Sequence, residues 1–166
     1  MPDRALVAAL CLALALAACS REPEIRVTHE PKQAVALRFA TPGGWREQPA
    51  GDVRKASFLA GPAKLDVSVT VFPGDAGGVL ANVNRWRRQL ELPPLAAEAD
   101  SHPAEILTGS GQRALAFVIE SPDHATLGAI LARRDRTWFV KLTGPRDAVL
   151  AERDHFDAFV RSLYVP

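Results

Sequence analysis

Residues 64–94 read KLDVSVTVFPGDAGGVLANVNRWRRQLELPP, and this stretch decides the fold. From Leu65 to Phe72 apolar and polar side chains alternate, which predicts a strand with one buried face. After a glycine-rich turn, apolar side chains recur every three or four positions, which predicts an amphipathic helix. Its apolar stripe comprises Val79, Val83, Trp86 and Leu90. The pair Pro93-Pro94 ends the helix, because proline cannot donate the backbone hydrogen bond that a helix needs.

The opposite face of this helix is basic and carries asparagines. Arg85 and Arg88 point away from the apolar stripe, with Asn84 beside them and Asn82 at the edge. Asparagine is a mediocre helix former, so two of them this close together need a reason. One interpretation is a solvated face with one asparagine bonded to a neighbouring loop. The other is a surface that binds a partner or an anionic ligand, built from these four residues.

The start of the chain predicts export and lipidation. Residues 5–18 are apolar throughout, a run shorter than the ~20 residues that a membrane-spanning helix needs. The next feature, Leu16-Ala17-Ala18-Cys19, resembles the lipobox of bacterial lipoproteins, in which the cysteine is lipidated and becomes the first residue after cleavage. We therefore expect a signal peptide over residues 1–18, a lipidated cysteine and tether over 19–33, and one domain over 34–166. An ordinary signal peptide and a short membrane anchor are the alternatives.

Lipidation of Cys19 implies a protein held on a membrane of the bacterial cell envelope and facing the periplasm. Ser20 follows the cysteine, where aspartate would specify inner-membrane retention in enteric bacteria, so the sequence favours the outer membrane. The other cysteine, Cys11, leaves with the signal peptide. The mature chain would then have no thiol for a disulfide, a metal–thiolate site or nucleophilic catalysis.

Composition and motifs argue against several classes of chemistry. The formal net charge is +1, without the basic excess of a general nucleic-acid binder. No two of the four histidines are spaced i, i+2 or i, i+4, the spacings that would offer a metal-binding face. They are His29, His102, His124 and His155. Ser110, flanked by two glycines, lacks the spacing of a nucleophile elbow. We therefore expect no catalytic residue, no metal and no cofactor.

The glycine-rich turn before the helix, residues 74–78, does not match a phosphate-binding loop, because the Gly-Lys-Ser/Thr ending is missing. Its exposed N–H groups could still hold an anion. A plain turn with Asp75 as the helix cap is the interpretation we favour.

The remainder of the chain predicts an α+β fold. Alternating or continuous apolar runs predict strands at 34–40, 53–60, 104–108, 113–120, 127–133 and 137–143. We expect the strand at 113–120 to be central, because it is apolar on both faces. Gly144-Pro145 begins a long C-terminal helix. Arg153 falls inside its apolar stripe, which requires either a bend near Glu152 or an arginine that snorkels.

Short turns between the predicted strands favour antiparallel pairing. We therefore expect an αβα sandwich around a mainly antiparallel sheet of about six to seven strands, with a mid-chain helix and a long C-terminal helix. Trp45 follows a turn and is expected to pack over the edge of the core.

These features together resemble the PsbP-like superfamily, which includes an extrinsic photosystem II subunit, a Ran-GTPase-binding import factor and many bacterial lipoproteins. The resemblance spans roughly residues 34–164. It rests on Leu37-Arg38-Phe39 followed by Pro42-Gly43-Gly44-Trp45, on the central strand–helix unit, and on WFVKLTGP at 138–145 followed by the helix at 156–163. The lipobox and the sequence at 82–88 differ from the photosynthetic members.

The resemblance implies an αβα sandwich that acts by binding a protein partner and not by catalysis. We therefore expect a membrane-tethered, non-enzymatic lipoprotein that binds a protein or assists an envelope complex. The alternative is a carrier of a small ligand, which requires an enclosed apolar pocket between the sheet and a helix. A hydrolase would need a nucleophile–base pair, which the sequence does not display.

Overall fold

Seven strands form one open antiparallel sheet in the computed structural model, which describes residues 36–166. The strands are β1 (Arg46–Gln48), β2 (Arg54–Ala60), β3 (Leu65–Pro73), β4 (Ala104–Leu107), β5 (Arg113–Glu120), β6 (His124–Ala132) and β7 (Arg136–Pro145). Their order across the sheet is β1-β2-β3-β7-β6-β5-β4. The helices of the described range are α1 (Gly78–Gln89), α2 (Arg146–Ala151) and α3 (Arg153–Ser162), with a short 3-10 turn at Glu98–Ser101.

Helices cover both faces of the sheet, so the predicted αβα sandwich is confirmed. Helices α2 and α3 pack on one face, where Phe156 and Phe159 meet Val67 and Leu142 of the sheet. Helix α1 packs on the other face through its predicted stripe, with buried contacts to Phe117, Ile119, Ile130 and Phe139. The register places these two sets on opposite sides, since successive residues of a strand point to alternate faces.

The close approach of α1 to the sheet depends on a glycine. Gly128 lies in β6 directly beneath the Trp86 ring, and a Cβ atom added there would stand 2.3 Å from the nearest ring carbon. Trp86 is buried and meets Phe117 and Phe139 edge-on. The indole therefore fills the space that a side chain at position 128 would occupy, which confirms its assignment to the core.

The first predicted strand is wrong. The described part of residues 34–40 makes only an isolated bridge between Arg38 and Tyr164, through backbone hydrogen bonds of 3.1 and 2.8 Å. The alternating pattern there has a different cause: Phe39 turns inward and packs on Phe58 and Phe159. The strand at this edge of the sheet is β1, three residues that follow Trp45 and pair with β2 on the side opposite β3.

The predicted C-terminal helix is present and bends at Glu152. That residue has φ −92° and ψ 4° and separates α2 from α3, so Arg153 leaves the apolar stripe and is exposed. Of the two alternatives for Arg153, the bend is the one observed. The Glu152 side chain turns inward and accepts a 2.7 Å hydrogen bond from Nε1 of Trp45, which is buried as predicted.

The strand at 113–120 is not central. It forms β5, next to the edge strand β4, and Val118 is 40% exposed. The middle of the sheet is β7, flanked by β3 and β6. Both faces of β5 are apolar because Ala114 and Ala116 contact one core and Phe117 and Ile119 contact the other.

Candidate interaction surface on helix α1

Helix α1 begins in a turn of left-handed residues. Gly77 and Gly78 have φ of 89° and 78°, a conformation that glycine adopts without strain. The Asp75 carboxylate accepts a 3.1 Å hydrogen bond from the Gly77 amide, and the Gly78 amide donates to the Asp75 carbonyl at 3.0 Å. Asp75 thus stabilises the turn and not the helix itself, because the helix cap at Gly77 has no side-chain hydrogen bond.

Asn82 closes this turn from within the helix. Its side chain is 1% exposed, and Nδ2 donates to the carbonyls of Ala76 at 3.0 Å and Gly78 at 2.7 Å. Oδ1 accepts a 2.9 Å hydrogen bond from Nη1 of Arg85. The residue therefore joins the start of the helix to the arginine one turn later.

Asn84 fixes the chain that follows the helix. Its amide pairs twice with the Leu95 backbone: Oδ1 accepts from the Leu95 N–H at 2.8 Å and Nδ2 donates to its carbonyl at 3.1 Å. Arg87 adds a third bond, from Nε to the Pro93 carbonyl at 2.8 Å. These hydrogen bonds hold the Pro93-Pro94 segment against the side of α1.

Arg85 and Arg88 remain exposed on the outer face of α1. The helix contains no acidic residue, and in residues 36–166 the recorded ion pairs include neither arginine. Arg85 is oriented by Asn82, whereas Arg88 projects into solvent. The four residues predicted to form a binding surface thus lie together on one helix, with the asparagines bonded inward and the arginines directed outward. Their role in binding stays a prediction.

The sheet beside α1 presents a polar surface. Side chains of β3 that lie on the same face as α1 include Asp66, Ser68 and Thr70, whereas Ser57 of β2 on this face is buried and accepts a 3.2 Å hydrogen bond from Nη1 of Arg54. Arg54 forms a bidentate pair with Asp66, both bonds 2.8 Å long. The apolar contacts of α1 lie on β5, β6 and β7, so the described helices leave this polar half of the face uncovered.

The two largest clefts that we describe in residues 36–166 are lined by both polar and apolar side chains. One, of about 740 Å³, lies between the 3-10 turn and the ends of β4, β5 and β6, and its lining includes Arg113, Arg133, Glu98 and Glu105. The other, of about 710 Å³, lies between the end of α1 and β7. Neither has the enclosed apolar lining that the carrier alternative requires.

Lys141 stands in the second cleft and could not be found from sequence. It projects from β7, and Oε1 of Gln89 at the end of α1 accepts a hydrogen bond from its Nζ. Burial lowers the pKa of the Lys141 ammonium, against a weaker opposing attraction from Asp66 and with a small repulsion from Arg54. In sequence Lys141 is one polar position of an alternating strand, and only the packing of α1 makes it half-buried.

Within residues 36–166, His102, His124, His155 and Ser110 lie in separate parts of the fold. His155 contacts the Glu152 carboxylate, which also accepts from Trp45, at 3.0 Å through Nδ1, while His102 ends the 3-10 turn and His124 begins β6. Ser110 bonds Thr108 within the β4–β5 turn. Within residues 36–166 no group of three His, Cys, Asp or Glu side chains could hold a metal ion. The buried Trp45–Glu152 hydrogen bond, which exposed His155 joins from the surface, was missed by sequence reasoning, because Trp45 and Glu152 are 107 residues apart along the chain.

The predicted signal peptide, the tether and Cys19 lie outside the described residues. No helix of the described chain is both long enough and apolar enough to cross a membrane.

Comparisons with known proteins give likeness of fold. No protein-family model matches the chain, and no curated protein matches it. Similar solved structures include a protein from Bacteroides thetaiotaomicron, 13% identical with a TM-score of 0.48 over 79% of this chain. The chain spans only 45% of that structure.

Two further similar structures are cyanobacterial PsbP (CyanoP) from Synechocystis and LpqN of Mycobacterium tuberculosis, a protein involved in cell envelope biogenesis. Each is 14% identical with a TM-score of 0.46; the matches cover 79% and 78% of this chain, and 87% and 83% of those chains. PsbP, after which the superfamily that the sequence resembles is named, is one of these similar structures. At such identities the likeness concerns the fold alone.

Proposed function

We propose that the chain is a lipid-anchored, non-enzymatic protein of the bacterial cell envelope that binds a protein partner through the outer face of α1. The anchor is the lipid on Cys19, and the domain faces the periplasm from the outer membrane. The observation that carries the binding proposal is the arrangement of α1. Its two asparagines are bonded inside the molecule, whereas Arg85 and Arg88 are exposed with no carboxylate of the described chain paired to them.

This arrangement supports binding for an energetic reason. Arginine is enriched where proteins meet, because its planar guanidinium can form paired bonds with carboxylates. An exposed arginine already paired within its own chain would have to break that pair first. Arg85 and Arg88 have no such pair among the described residues, and the helix that carries them is fixed at its start and along its side.

The described chemistry supports a binding role over catalysis. One polar constellation is Trp45–Glu152–His155, in which the buried Glu152 carboxylate accepts from the Trp45 indole and contacts Nδ1 of the exposed His155. His155 is not hydrogen-bonded to a serine, threonine or cysteine in this constellation. The constellation therefore lacks the nucleophile–base pair of covalent catalysis.

The test is recovery of a partner from native membranes with the lipidated chain as bait. The double variant Arg85→Ala plus Arg88→Ala removes the proposed contact. The matched control is Arg153→Ala plus Arg161→Ala, which removes two exposed arginines from α3 on the other side of the sheet. Circular dichroism checks that each variant folds, and Cys19→Ala tests whether recovery needs the anchor.

We expect a protein that is recovered with the unchanged chain and with the α3 control but lost with the α1 variant. Recovery that is equal for both double variants would refute the role of the α1 face. Unchanged fractionation of Cys19→Ala with membranes would refute the anchor separately.

A further inference from the structure

The cleft that contains Lys141 has the dimensions and the charges of a ligand site. Its volume of about 710 Å³ falls within the roughly 300–1,000 Å³ typical of small-molecule pockets. It lies between the end of α1, the turn that joins β5 to β6, and β7. Lys141 enters it from the sheet, on the face that α1 covers, because its neighbour in the register is Gly128 beneath Trp86.

The Lys141 ammonium has unused hydrogen-bonding capacity. An ammonium has three donors, and among residues 36–166 its recorded partner is Oε1 of Gln89. No recorded ion pair of this range includes Lys141. A half-buried ammonium without an ion-pair partner is incompletely solvated, so an anion that enters the cleft would be attracted to it.

Two carboxylates stand at the rim of the same cleft. Glu91 and Asp123 are exposed, line the cleft, and their carboxylates make no hydrogen bond recorded in the described structure. They would repel a doubly charged phosphate at the entrance, whereas they would attract a cationic group. The hydroxyl of Thr143, also in the lining, is already bonded to Ala125 and Thr126. The charged groups of the cleft are therefore one cation on the wall and two anions at the rim.

We propose that this cleft binds a zwitterionic small molecule of the amino-acid or short-peptide class. The ligand's carboxylate bonds the Lys141 ammonium, and the ligand's ammonium lies toward Glu91 and Asp123. The site goes beyond the protein-binding face of α1 and does not depend on it, since Arg85 and Arg88 are not part of the cleft lining.

Lysine side-chain NMR tests the proposal directly on the full chain in a non-ionic detergent. The sequence has four lysines, Lys32, Lys55, Lys64 and Lys141, so labelling with lysine carrying ¹³C at Cε gives four signals. Each signal is assigned with a Lys→Arg variant. The probe is the dipeptide alanyl-alanine, compared at constant ionic strength with its C-terminal amide, its N-acetyl derivative and inorganic phosphate.

We expect alanyl-alanine to shift the Lys141 signal saturably while the Lys55 and Lys64 signals stay fixed. The amide derivative lacks the carboxylate, and loss of a charge-assisted hydrogen bond predicts binding roughly 10- to 100-fold weaker. The N-acetyl derivative lacks the cation and is expected to bind more weakly than the dipeptide. Phosphate that binds more tightly than the dipeptide would refute the zwitterionic ligand.

Variants supply an independent readout through the backbone ¹⁵N signal of Gly144, which lines the cleft. Lys141→Met is expected to abolish the saturable shift of that signal, whereas Lys55→Met removes the same charge from an exposed position and leaves it unchanged. Glu91→Gln plus Asp123→Asn is expected to make the dipeptide bind no better than its N-acetyl derivative. A dipeptide response that survives Lys141→Met, or a Lys141 signal that moves no more than that of Lys55, would overturn the proposal.

Discussion

Substitution of Asn82 measures how far the start of α1 depends on one side chain. The Nδ2 group donates two hydrogen bonds, of 3.0 Å to the Ala76 carbonyl and 2.7 Å to the Gly78 carbonyl, at a residue that is 1% exposed. Asn82→Ala removes both bonds and the bond to Arg85. Asn82→Asp keeps the shape and the bond to Arg85 but replaces the donor by a second acceptor, since a carboxylate cannot donate.

The expected cost follows from these bonds. Two amide–carbonyl bonds contribute about 1 kcal/mol each, so Asn82→Ala loses ~2 kcal/mol. The cavity costs on the order of 1 kcal/mol more, while the better helix propensity of alanine returns about 0.5 kcal/mol. The free energy of unfolding should therefore fall by roughly 2–3 kcal/mol for Asn82→Ala. Asn82→Asp should cost more, because a buried carboxylate then faces two carbonyl oxygens and its exposed partner Arg85 compensates little.

Urea unfolding followed by tryptophan fluorescence is the assay, with the m-value as a check that the same surface unfolds. Arg85→Ala is the matched control, since it removes only the third bond of Asn82 and should change the free energy of unfolding by less than about 0.5 kcal/mol. The combination of both alanine substitutions isolates the Asn82–Arg85 bond. If Asn82→Asp proves as stable as the unchanged protein, the donor role of Nδ2 is refuted.

Three further perturbations test the packing and the charges. Gly128→Ala places a Cβ atom 2.3 Å from the Trp86 ring, so we expect a loss of about 1–3 kcal/mol and a changed near-ultraviolet circular dichroism spectrum; an unchanged spectrum would contradict the contact. Trp45→Phe keeps an aromatic ring but leaves the Glu152 carboxylate without its 2.7 Å donor, which should cost roughly 1.5–3 kcal/mol in thermal unfolding, and Glu152→Gln in the same background should recover part of it. Because burial lowers the pKa of Lys141 in the folded state, the unfolded chain binds more protons between that lowered pKa and the ordinary value near 10.4, so the stability term from this lysine rises with pH across this alkaline window. The rise should be absent in Lys141→Met, and identical pH profiles of unfolding for the two proteins would contradict it.

Local periodicity predicted the parts of the fold whose cause is local. The strand at Leu65–Pro73 and the helix at Gly78–Gln89 follow from a change of period within one stretch, and the structure has both. The strand at Arg113–Glu120 was also found, but its place in the sheet was wrong. Apolar residues on both faces indicate that both faces of a strand are buried. They do not indicate the position of the strand in the sheet.

The two ends of the domain make long-range contacts that local periodicity does not reveal. The segment around Arg38 alternates like a strand, yet its backbone pairs with Tyr164, 126 residues later in the numbering. At the break, the Glu152 carboxylate accepts a hydrogen bond from the Trp45 indole, 107 residues earlier in the chain. Neither partner can be identified from the local sequence. The same limit applies to Lys141. Its half-burial depends on the end of α1, where Gln89 accepts a hydrogen bond from it, and the local sequence does not show this contact.

The asparagines of α1 show how a structural role can sharpen a functional hypothesis. Asn82 and Asn84 are poor helix formers, but each bonds backbone groups outside the regular helix, Asn82 those of the preceding turn and Asn84 those of the following loop. Since these bonds fix the helix at both ends, Arg85 and Arg88 are presented on a rigid element. A partner would then have to order only the two arginine side chains, at a cost of about 0.5–1.5 kcal/mol each, and no backbone.

If the asparagines serve to fix α1 for binding, Asn84→Ala should weaken partner recovery, although in this proposal the partner contacts the arginines and not Asn84. Arg87→Ala loosens the same loop and should weaken recovery as well. If the partner is recovered in full with both variants, the bonds of Asn84 and Arg87 are not needed for binding. Arg85 and Arg88 alone would then remain as candidate binding residues.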